Sequence, residues 1–360
     1  MNFVILAGGT GTRLWPMSRL KQPKQLAALV TDVTMIEDTV ERIRPIANWN
    51  QIFISTNANF APLIHEVLPN IPESNFIVEP AKRDNGPAMA FAATWLSTIA
   101  PDEPMLFMSS DHHIQDAAAF RHVIQVTENL IREQGTMVNF GITPNFPNTS
   151  LGYLKIENEI EKRDGIHIYT FGGQKEKPDY ETAKKFVDEG KYLWNAGYFA
   201  WTPAKFVNAY KQFAPGIGDQ LDDLTVAIKN KNEADIIMLY DKMEAKSIDY
   251  ALIEKMDPST VRTVRGDFGW ADLGSWDMLY SELTQSADKA GNLIKANWHG
   301  IDTTKTLIYA PKNKLVTTIG VNNMVIVDTP DALLIAPMDR AQDVKKIVDL
   351  LKQHDLHRHL

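Results

Sequence analysis

The sequence predicts an α/β protein with a doubly wound, mostly parallel sheet, an inserted region and a small β-rich C-terminal domain. Three observations support this fold class. Short apolar runs alternate with helix-like segments through the first half of the 360 residues. These runs are continuously apolar, as in strands of a parallel sheet that is covered on both faces. From about residue 287, short β-rich runs follow one another between Gly, Asn, Asp and Pro.

The alternation places the elements of the first half in order. The predicted strands are 3–6, 52–55, 76–78, 105–108 and 137–142, and the predicted helices are 35–44, 62–68, 87–99 and 118–134. A strand, a helix and a further apolar strand make up the repeating unit of a parallel sheet. We therefore expect this half to be doubly wound.

The hydrophobic pattern of the sequence changes near Pro147. Strands with charged flanks are predicted over 152–157 and 166–171, a charged helix over 180–189, a further strand over 192–201, and helices from 203 to about 243. An insertion of this kind could form a substrate lid on the sheet.

The C-terminal region combines evenly spaced short strands with one amphipathic helix. The strands suggest a small β-domain that is β-helix-like. The helix is predicted over 339–353, where Val344, Ile347, Val348 and Leu351 share one apolar face that should pack against the protein. The last residues, HDLHRHL, are expected to form a frayed, solvated end.

Composition limits the classes of function. The formal net charge of −8 and pI near 5.6 argue against a nucleic-acid partner. The absence of cysteine excludes disulfides and thiolate chemistry and fits a reducing compartment. The first apolar run is too short for a signal peptide, and no segment reaches the roughly 20 apolar residues that span a bilayer. A soluble cytoplasmic protein is expected.

A glycine-rich stretch, LAGGTGTRLWP (residues 6–16), follows the first predicted strand. It is not a Walker A loop, because no Gly-Lys-Ser/Thr follows, and Leu14 stands where the dinucleotide fingerprint has its third glycine. A tight turn would explain the glycines alone. However, Arg13, Arg19, Lys21 and Lys24 lie within twelve residues with no carboxylate among them. Cations beside exposed backbone N–H groups favour an oligophosphate-binding loop.

The longer stretch LAGGTGTRLWPMSRLKQPKQ (residues 6–25) resembles the signature of the sugar-1-phosphate nucleotidyltransferases. Its WPMSR and PKQ elements resemble the mannose-1-phosphate guanylyltransferase (GDP-mannose pyrophosphorylase) branch. This resemblance implies transfer of GMP from GTP to α-D-mannose 1-phosphate, with Mg²⁺ as cofactor. It implies catalytic roles for Arg13 and Lys24. The implied nucleotide contacts in this stretch are Leu6, Ala7, Gly8, Gly9, Gly11, Thr12 and Arg13.

The resemblance also implies the domain organisation. A Rossmann-like catalytic domain is expected over 1–285, with a nucleotide-binding half (1–146) and a sugar-phosphate-binding half (147–285). A small β-rich domain with a C-terminal helix is expected over 286–360. This tail and its helix suggest a homodimer formed through the C-terminal region.

Two acids are candidates for a metal site. Asp111 lies in MLFMSSDHHI at the end of a predicted apolar strand, where ligands collect in open α/β sheets. Asp272 lies in GDFGWADLGSW, about 160 residues later. Magnesium prefers oxygen ligands and typically takes one or two protein carboxylates, although a helix cap or turn would also explain Asp111. The resemblance implies that both acids are metal ligands and that Asp111 also contacts the nucleotide.

Further blocks resemble the same family. EPAKRDNGPAMAFAA (residues 79–93) resembles the segment beside the base, which implies nucleotide contacts for Asn85 and Gly86, although residues 84–86 depart from the family pattern. PNTSLGYLK, QKEKPDYETA and YLWNAGYFAW resemble the elements that hold the sugar and its phosphate. The residues implied there are Gly152, Glu176, Lys177, Asn195 and Gly197. A lysine suits a phosphate, while Glu and Asn side chains can pair with sugar hydroxyls. Asp249, in SIDYALIEK, could be structural or could orient the site.

Two other functions stay open from the sequence. A glucose-1-phosphate thymidylyl- or uridylyltransferase would use the same loop and metal chemistry with another base and sugar. A non-catalytic nucleotide-sugar sensor could use the same fold. The presence of Arg13, Lys24, Asp111 and Asp272 favours an enzyme, because a sensor does not need the full phosphate and metal set.

Overall fold

The computed structural model describes residues 1–9 and 11–360, which contacts divide into two compact units. The first unit comprises Met1–Gly8, Val40–Ser110 and Ile114–Trp270. The second comprises Gly9–Thr39, Asp111–His113 and Ala271–Leu360. Both units are discontinuous in sequence. The contiguous domain bounds that the sequence suggests stay a prediction.

Strands and helices largely alternate as far as residue 142, and this alternation confirms the α/β class. The strands are β1 (Asn2–Leu6), β2 (Ile52–Asn57), β3 (Phe76–Glu79), β4 (Met105–Ser109), β5 (His112–Ile114), β6 (Met137–Ile142), β7 (Tyr153–Arg163), β8 (Ile166–Lys175), β9 (Tyr192–Trp201), β10 (Val261–Arg265) and β11 (Trp270–Asp272). The helices are α1 (Met35–Ile43), α2 (Ala61–Val67), α3 (Asn85–Ser97), α4 (Ala117–Gln134), α5 (Tyr180–Glu189), α6 (Pro203–Phe213), α7 (Pro215–Gly218), α8 (Leu221–Lys229), α9 (Glu233–Lys242) and α10 (Ile248–Ala251).

A nine-stranded sheet forms the centre of the first unit, in the order β3-β2-β1-β4-β9-β6-β10-β8-β7. Strands β1 to β4 pair in parallel, with Phe3 opposite Ile52 and Leu106. Strand β9 pairs antiparallel with β4 and β6, and β7 with β8. Strand β1 is buried except at its last residue, Leu6, which is partly buried, and this burial explains its continuous apolar run.

Most predicted bounds agree with the structure. Strands β6 and β9 and helix α5 have the predicted limits. Strand β7 does not end near residue 157, as the sequence predicts, but continues to Arg163, because its charged outer half pairs with β8.

The C-terminal part of the second unit is built from short strands and two helices. They are α11 (Trp276–Glu282), β12 (Leu293–Lys295), β13 (Asn297–Ile301), β14 (Leu307–Tyr309), β15 (Leu315–Ile319), β16 (Met324–Thr329), β17 (Ala332–Pro337) and α12 (Val344–Gln353). Strands β12, β14 and β16 pair in parallel, as do β13 and β15, and β17 closes the larger sheet antiparallel to β16. Successive strands thus alternate between two parallel stacks, as the β-helix-like prediction requires.

The C-terminal helix differs from the prediction in its start and in its apolar face. A 3₁₀ segment, Met338–Asp343, precedes α12, which begins only at Val344. Val344 and Val348 are buried, but Ile347 is 38% exposed. The apolar stripe is therefore narrower than the spacing suggests.

The expectation of a solvated C-terminus holds for residues 354–358, which are exposed, but not for the last residue. Leu360 is only 6% exposed and belongs to the apolar core of the second unit. The backbone oxygen of His359 accepts a 2.7 Å hydrogen bond from Trp15 Nε1. The chain end therefore packs against the last part of the glycine-rich stretch.

Among residues 1–9 and 11–360, none of the helices combines the length and the apolar character that crossing a bilayer requires.

Candidate active site

The glycine-rich stretch starts at the end of β1, at a fixed point of the sheet. Ala7 N donates to Ser55 O at 2.8 Å, and Thr56 Oγ1 donates to Ala7 O at 2.8 Å. Leu6 O accepts from Ser110 N at 3.2 Å. The predicted nucleotide contacts Leu6 and Ala7 are therefore held by the strands on both sides.

The glycines that follow leave backbone accessible and permit one close approach. Nothing lies within 4 Å of a Cβ built on Gly9, so this position faces open space. Gly11 has φ +64°, and a Cβ there would lie 2.5 Å from Lys24 Cβ. Glycine is needed at position 11 for both reasons. Thr10, within the predicted phosphate segment, lies outside the described residues.

Lys24 links two acids that are far apart in the sequence. Its Nζ lies 2.8 Å from Asp111 Oδ2 and 3.5 Å from Asp272 Oδ1. The residue is only 4% exposed, whereas both carboxylates are partly exposed. Burial by itself lowers the pKa of Lys24, but the charges and hydrogen bonds of the two acids outweigh it, so the pKa lies above its ordinary value. The lysine therefore remains charged beside the two acids.

Arg13 is held in the same unit by a residue from the end of the β-rich region. Its Nη1 donates to Gln342 Oε1 at 3.2 Å. The Gln342 Nε2 group donates to Ser275 Oγ at 2.7 Å and to Asp277 Oδ1 at 3.1 Å. A Cβ on Gly274 would lie 2.9 Å from Arg13 Nη2, so the missing side chain makes room for the guanidinium.

The idea of an unneutralised basic series is wrong for two of its members. Arg19 binds Asp331 through both terminal nitrogens, at 2.6 and 2.7 Å. Lys24 is paired with Asp111, as described above. The sequence segment contains no acids, but the fold brings acids to it from distant positions.

The two acids around Lys24 also fit a magnesium ion by their chemistry. Within the described part of the chain, no group of three or more His, Asp or Glu residues could hold a metal. Asp111 and Asp272 nevertheless converge on one ammonium group, so they can serve a single cation. Magnesium bound through one or two carboxylates together with substrate phosphates needs no larger protein cage.

A second cluster, in the first unit, unites the predicted sugar-phosphate residues. A Cβ on Gly152 would collide with Glu176 Oε2 and lie 3.3 Å from Asn195 Cβ. Lys177 Nζ lies 3.0 Å from Glu176 Oε1, and Lys177 has a positive φ of 44°. Asn195 Oδ1 accepts from Gly197 N at 2.9 Å, where Gly197 has φ +71°. We call these five residues the Glu176 cluster.

Asp249 is a buried acid that fixes Asn195 of the Glu176 cluster by a hydrogen bond. Its buried Oδ1 accepts from Gln174 Nε2 at 2.6 Å and from Asn195 Nδ2 at 3.0 Å. Burial raises the pKa of Asp249, and burial together with the charge of Asp249 raises the pKa of Glu176. The amide oxygen of Asn195 therefore points towards Gly197, because its nitrogen is committed to Asp249.

Asn85 and Gly86 make structural contacts in the first unit. Asn85 Oδ1 accepts from Ile248 N at 2.8 Å, and Gly86 O accepts from Tyr210 OH at 2.9 Å. A Cβ on Gly86 would collide with Lys246 O. The predicted contacts of these two residues with the nucleotide stay a prediction. Glu79 Oε1, at the end of β3, lies 3.8 Å from a Cβ built on Gly8.

The sequence did not point to Gln342, and it left two roles open for Asp249. Gln342 is 329 residues from Arg13 and lies in no recognisable motif. For Asp249, a signal existed, because a lone acid lies between apolar residues in SIDYALIEK and needs buried donors.

A glycine loop that follows a central parallel strand, with a buried lysine and two acids, defines a phosphate-handling α/β protein of the nucleotidyltransferase type. Family comparison agrees, because the model described as nucleotidyl transferase matches residues 2–289. The chain belongs to the nucleotidyl transferase family. A second model, described as a MannoseP isomerase/GMP-like β-helix domain, matches residues 297–351.

Similar proteins narrow this assignment. The chain is 33% identical to a mannose-1-phosphate guanylyltransferase of Escherichia coli K12, over 99% of this chain and 74% of that protein. It is 35% identical to mannose-1-phosphate guanylyltransferase RfbM of Salmonella typhimurium LT2, over 98% and 72%. A crystal structure from Thermus thermophilus, described as a mannose-1-phosphate geranyltransferase, superposes with TM-score 0.86 at 28% identity, over 98% of this chain and 99% of that one.

Proposed function

We propose that this chain transfers GMP from GTP to α-D-mannose 1-phosphate, giving GDP-mannose and pyrophosphate. The observation that carries the proposal is Lys24 between Asp111 and Asp272, two acids that the motifs mark as metal ligands. Relatives that match nearly the whole chain are named mannose-1-phosphate guanylyltransferase, which supports the choice of base and sugar.

The reaction needs positioning and neutralisation of charge, with no covalent enzyme intermediate. A phosphate oxygen of mannose 1-phosphate attacks the α-phosphorus of GTP in line and forms the new P–O bond. The bond to the β-phosphate breaks and pyrophosphate leaves with the electron pair. A phosphate monoester is largely ionised near neutral pH, so no general base is required.

Each cluster has a proposed part in this step. The loop backbone from Gly8 to Thr12 binds the phosphates, and Arg13 and Lys24 stabilise the charge that develops on them. Asp111 and Asp272 hold Mg²⁺, which when bound supplies further positive charge to the triphosphate and the leaving pyrophosphate.

The Glu176 cluster is proposed to bind the acceptor. Lys177, 60% exposed in its side chain, contacts the phosphate of mannose 1-phosphate, while Glu176 and Asn195 pair with sugar hydroxyls. Asp249 acts through Asn195 as a positioning residue. Asn85 and Gly86 are proposed to contact the nucleotide.

A substrate matrix tests the function. Purified protein with Mg²⁺ is mixed with each of four nucleoside triphosphates and with mannose-, glucose- or fucose-1-phosphate, and pyrophosphate release is measured. Release mainly with GTP and mannose 1-phosphate is expected, with loss after chelation by EDTA. A preference for dTTP or UTP with glucose 1-phosphate would replace the proposal with the related transferase. No release from any pair would favour a non-catalytic sensor.

Two further properties are proposed from the sequence and the surface. A cytoplasmic location fits the absence of cysteine. A homodimer through the C-terminal region fits the exposed apolar side chains there, including Ile319 at 77% exposure and also Ile301, Leu315, Leu333 and Ile335. Sedimentation should show a dimer that Ile319→Asp weakens. A monomer at every protein concentration would contradict this arrangement.

A further inference from the structure

Arg19 lies in the sequence between Arg13 and Lys24, the two cations that are proposed to stabilise the triphosphate. Its backbone closes a tight turn, since Arg19 N donates to Gln22 O at 2.8 Å and Gln22 N donates to Arg19 O at 3.2 Å. Only Pro23 separates this turn from Lys24. A displacement of Arg19 is therefore passed to Lys24 through a short, hydrogen-bonded stretch of chain.

The guanidinium of Arg19 is bonded within the protein through all three of its nitrogens. Nε donates to Pro16 O at 2.8 Å. Nη1 and Nη2 donate to the two carboxylate oxygens of Asp331 at 2.6 and 2.7 Å, and Nη2 also donates to Thr329 Oγ1 at 3.0 Å. The side chain is only 13% exposed. An arginine bonded in this way fits an anchor better than a phosphate ligand.

Asp331 holds this guanidinium from the turn between β16 and β17. The two strands pair antiparallel up to the turn, where Thr329 lies opposite Ala332. Hydrogen bonds from Arg19 lower the pKa of Asp331, so the acid stays ionised at neutral pH. The pair is therefore a charged, bidentate link between the segment that carries Arg13 and Lys24 and the β-rich region.

Apolar packing holds the same segment on the same region. Side chains on both sides of Arg19 share one core with strands β12, β14 and β16, and this core includes Leu14, Trp15, Ala27, Leu29, Leu293, Leu307 and Val325. We propose that Arg19 and Asp331 are positioning residues, whose ion pair fixes residues 13–24 on the β-rich region so that Arg13 and Lys24 meet the triphosphate together. This inference rests on the proposed nucleotidyl transfer.

A charge swap separates an anchor from a phosphate ligand. Arg19→Asp and Asp331→Arg each place like charges at the pair, and each should lower kcat for pyrophosphate release at least about tenfold, since a displacement of about 1 Å can cost about 100-fold. The double variant Arg19→Asp/Asp331→Arg restores opposite charges and should recover at least about fivefold over either single variant. Arg163→Asp is the matched control, because Arg163 is 21% exposed and pairs with Glu133 at 2.9 Å in the first unit. The control should stay within about twofold of wild type.

Two results would overturn the proposal. If Arg19 binds a phosphate, Arg19→Asp raises KM for GTP and the charge swap does not restore turnover. The second variant, Asp331→Asn, keeps the shape of the side chain and decides the question if a charge-reversed chain does not fold. It should lower kcat at least about threefold, because bonds to a charged group are lost. Wild-type turnover in Asp331→Asn is the second contrary result.

Amide hydrogen exchange without substrates tests the anchor independently of the reaction. Exchange within residues 13–24 should be at least about tenfold faster in Asp331→Asn than in wild type. Unchanged exchange would refute the anchor, whichever reaction the chain catalyses. A wild-type protein that releases no pyrophosphate from any substrate pair would refute the nucleotidyl transfer, while the exchange data would still decide whether the ion pair fixes the segment.

Discussion

Replacing Gln342 by alanine tests whether the β-rich region positions Arg13 for catalysis. The change removes the side-chain oxygen that accepts from Arg13 Nη1 at 3.2 Å. It also removes the side-chain nitrogen that donates to Ser275 and Asp277. A hydrogen bond in a partly exposed site contributes about 1 kcal/mol net, which corresponds to about fivefold in rate. If the guanidinium then shifts by about 1 Å, the loss can reach about 100-fold. We therefore expect kcat to fall between these limits.

The assay is a double-mutant cycle on pyrophosphate release at saturating substrates. Gln342→Ala, Arg13→Ala and the double variant are compared with wild type, and Gln353→Ala, an exposed glutamine at the end of α12, is the matched control. Because Gln342 acts through Arg13, it should lower kcat by less than about twofold once Arg13 is absent. KM for mannose 1-phosphate should change little.

Gln342 does not act through Arg13 if Gln342→Ala lowers kcat by the same factor with and without Arg13. Gln342 has no part in catalysis if Gln342→Ala turns over like Gln353→Ala. Gln342→Glu provides a second check, because a carboxylate could still accept from Arg13 but would face Asp277 and could not donate to Ser275. That variant should therefore not restore the wild-type rate.

The remaining predictions concern the loop, the lysine and the acceptor cluster. Gly11→Ala should lower the free energy of unfolding by about 1–2 kcal/mol or more, from positive-φ strain and the clash with Lys24, whereas Gly9→Ala should lower it much less in the same thermal melts. Lys24→Met should lower the free energy of unfolding by about 1–3 kcal/mol, because solvent partly screens the two acids that it leaves without their lysine. The folded-state pKa of Lys24 is raised, so this stabilisation should be complete at pH values below the ordinary lysine pKa of about 10.4 and should disappear as pH rises through the folded-state pKa. A stability difference between variant and wild type that shrinks between pH 7 and 9 would contradict this expectation. Lys177→Ala should mainly raise KM for mannose 1-phosphate, because the exposed ammonium of Lys177 can add binding energy before the chemical step. A fall in kcat without a change in KM would contradict that role.

Local patterns predicted much of the fold because hydrophobic period and turn chemistry are local properties. Helix α5 has the predicted bounds 180–189, and the structure shows why: Asp179 caps its start and Gly190, with φ +63°, ends it. The longer β7–β8 hairpin was missed because its outer half is charged and exposed. The turn itself has a sequence signal, because the dipeptide Asp164-Gly165 is typical of type I′ hairpin turns. In the structure both residues have positive φ, as that turn requires.

Site residues were predictable only where the motif itself contains the chemistry. The motifs named Asp111 and Asp272, and the fold brings both to Lys24. Charge balance was not predictable in the same way, because the acids that neutralise Arg19 and Lys24 lie far from them in the sequence. They are Asp331 for Arg19, and Asp111 and Asp272 for Lys24. A basic run in a sequence therefore shows only that cations are present, and whether they can bind a phosphate depends on the acids that the fold places beside them. In this chain Asp331 occupies Arg19, whereas Lys24 and its two acids form one charged group, in which the acids are proposed to hold Mg²⁺ and the lysine to face the phosphates.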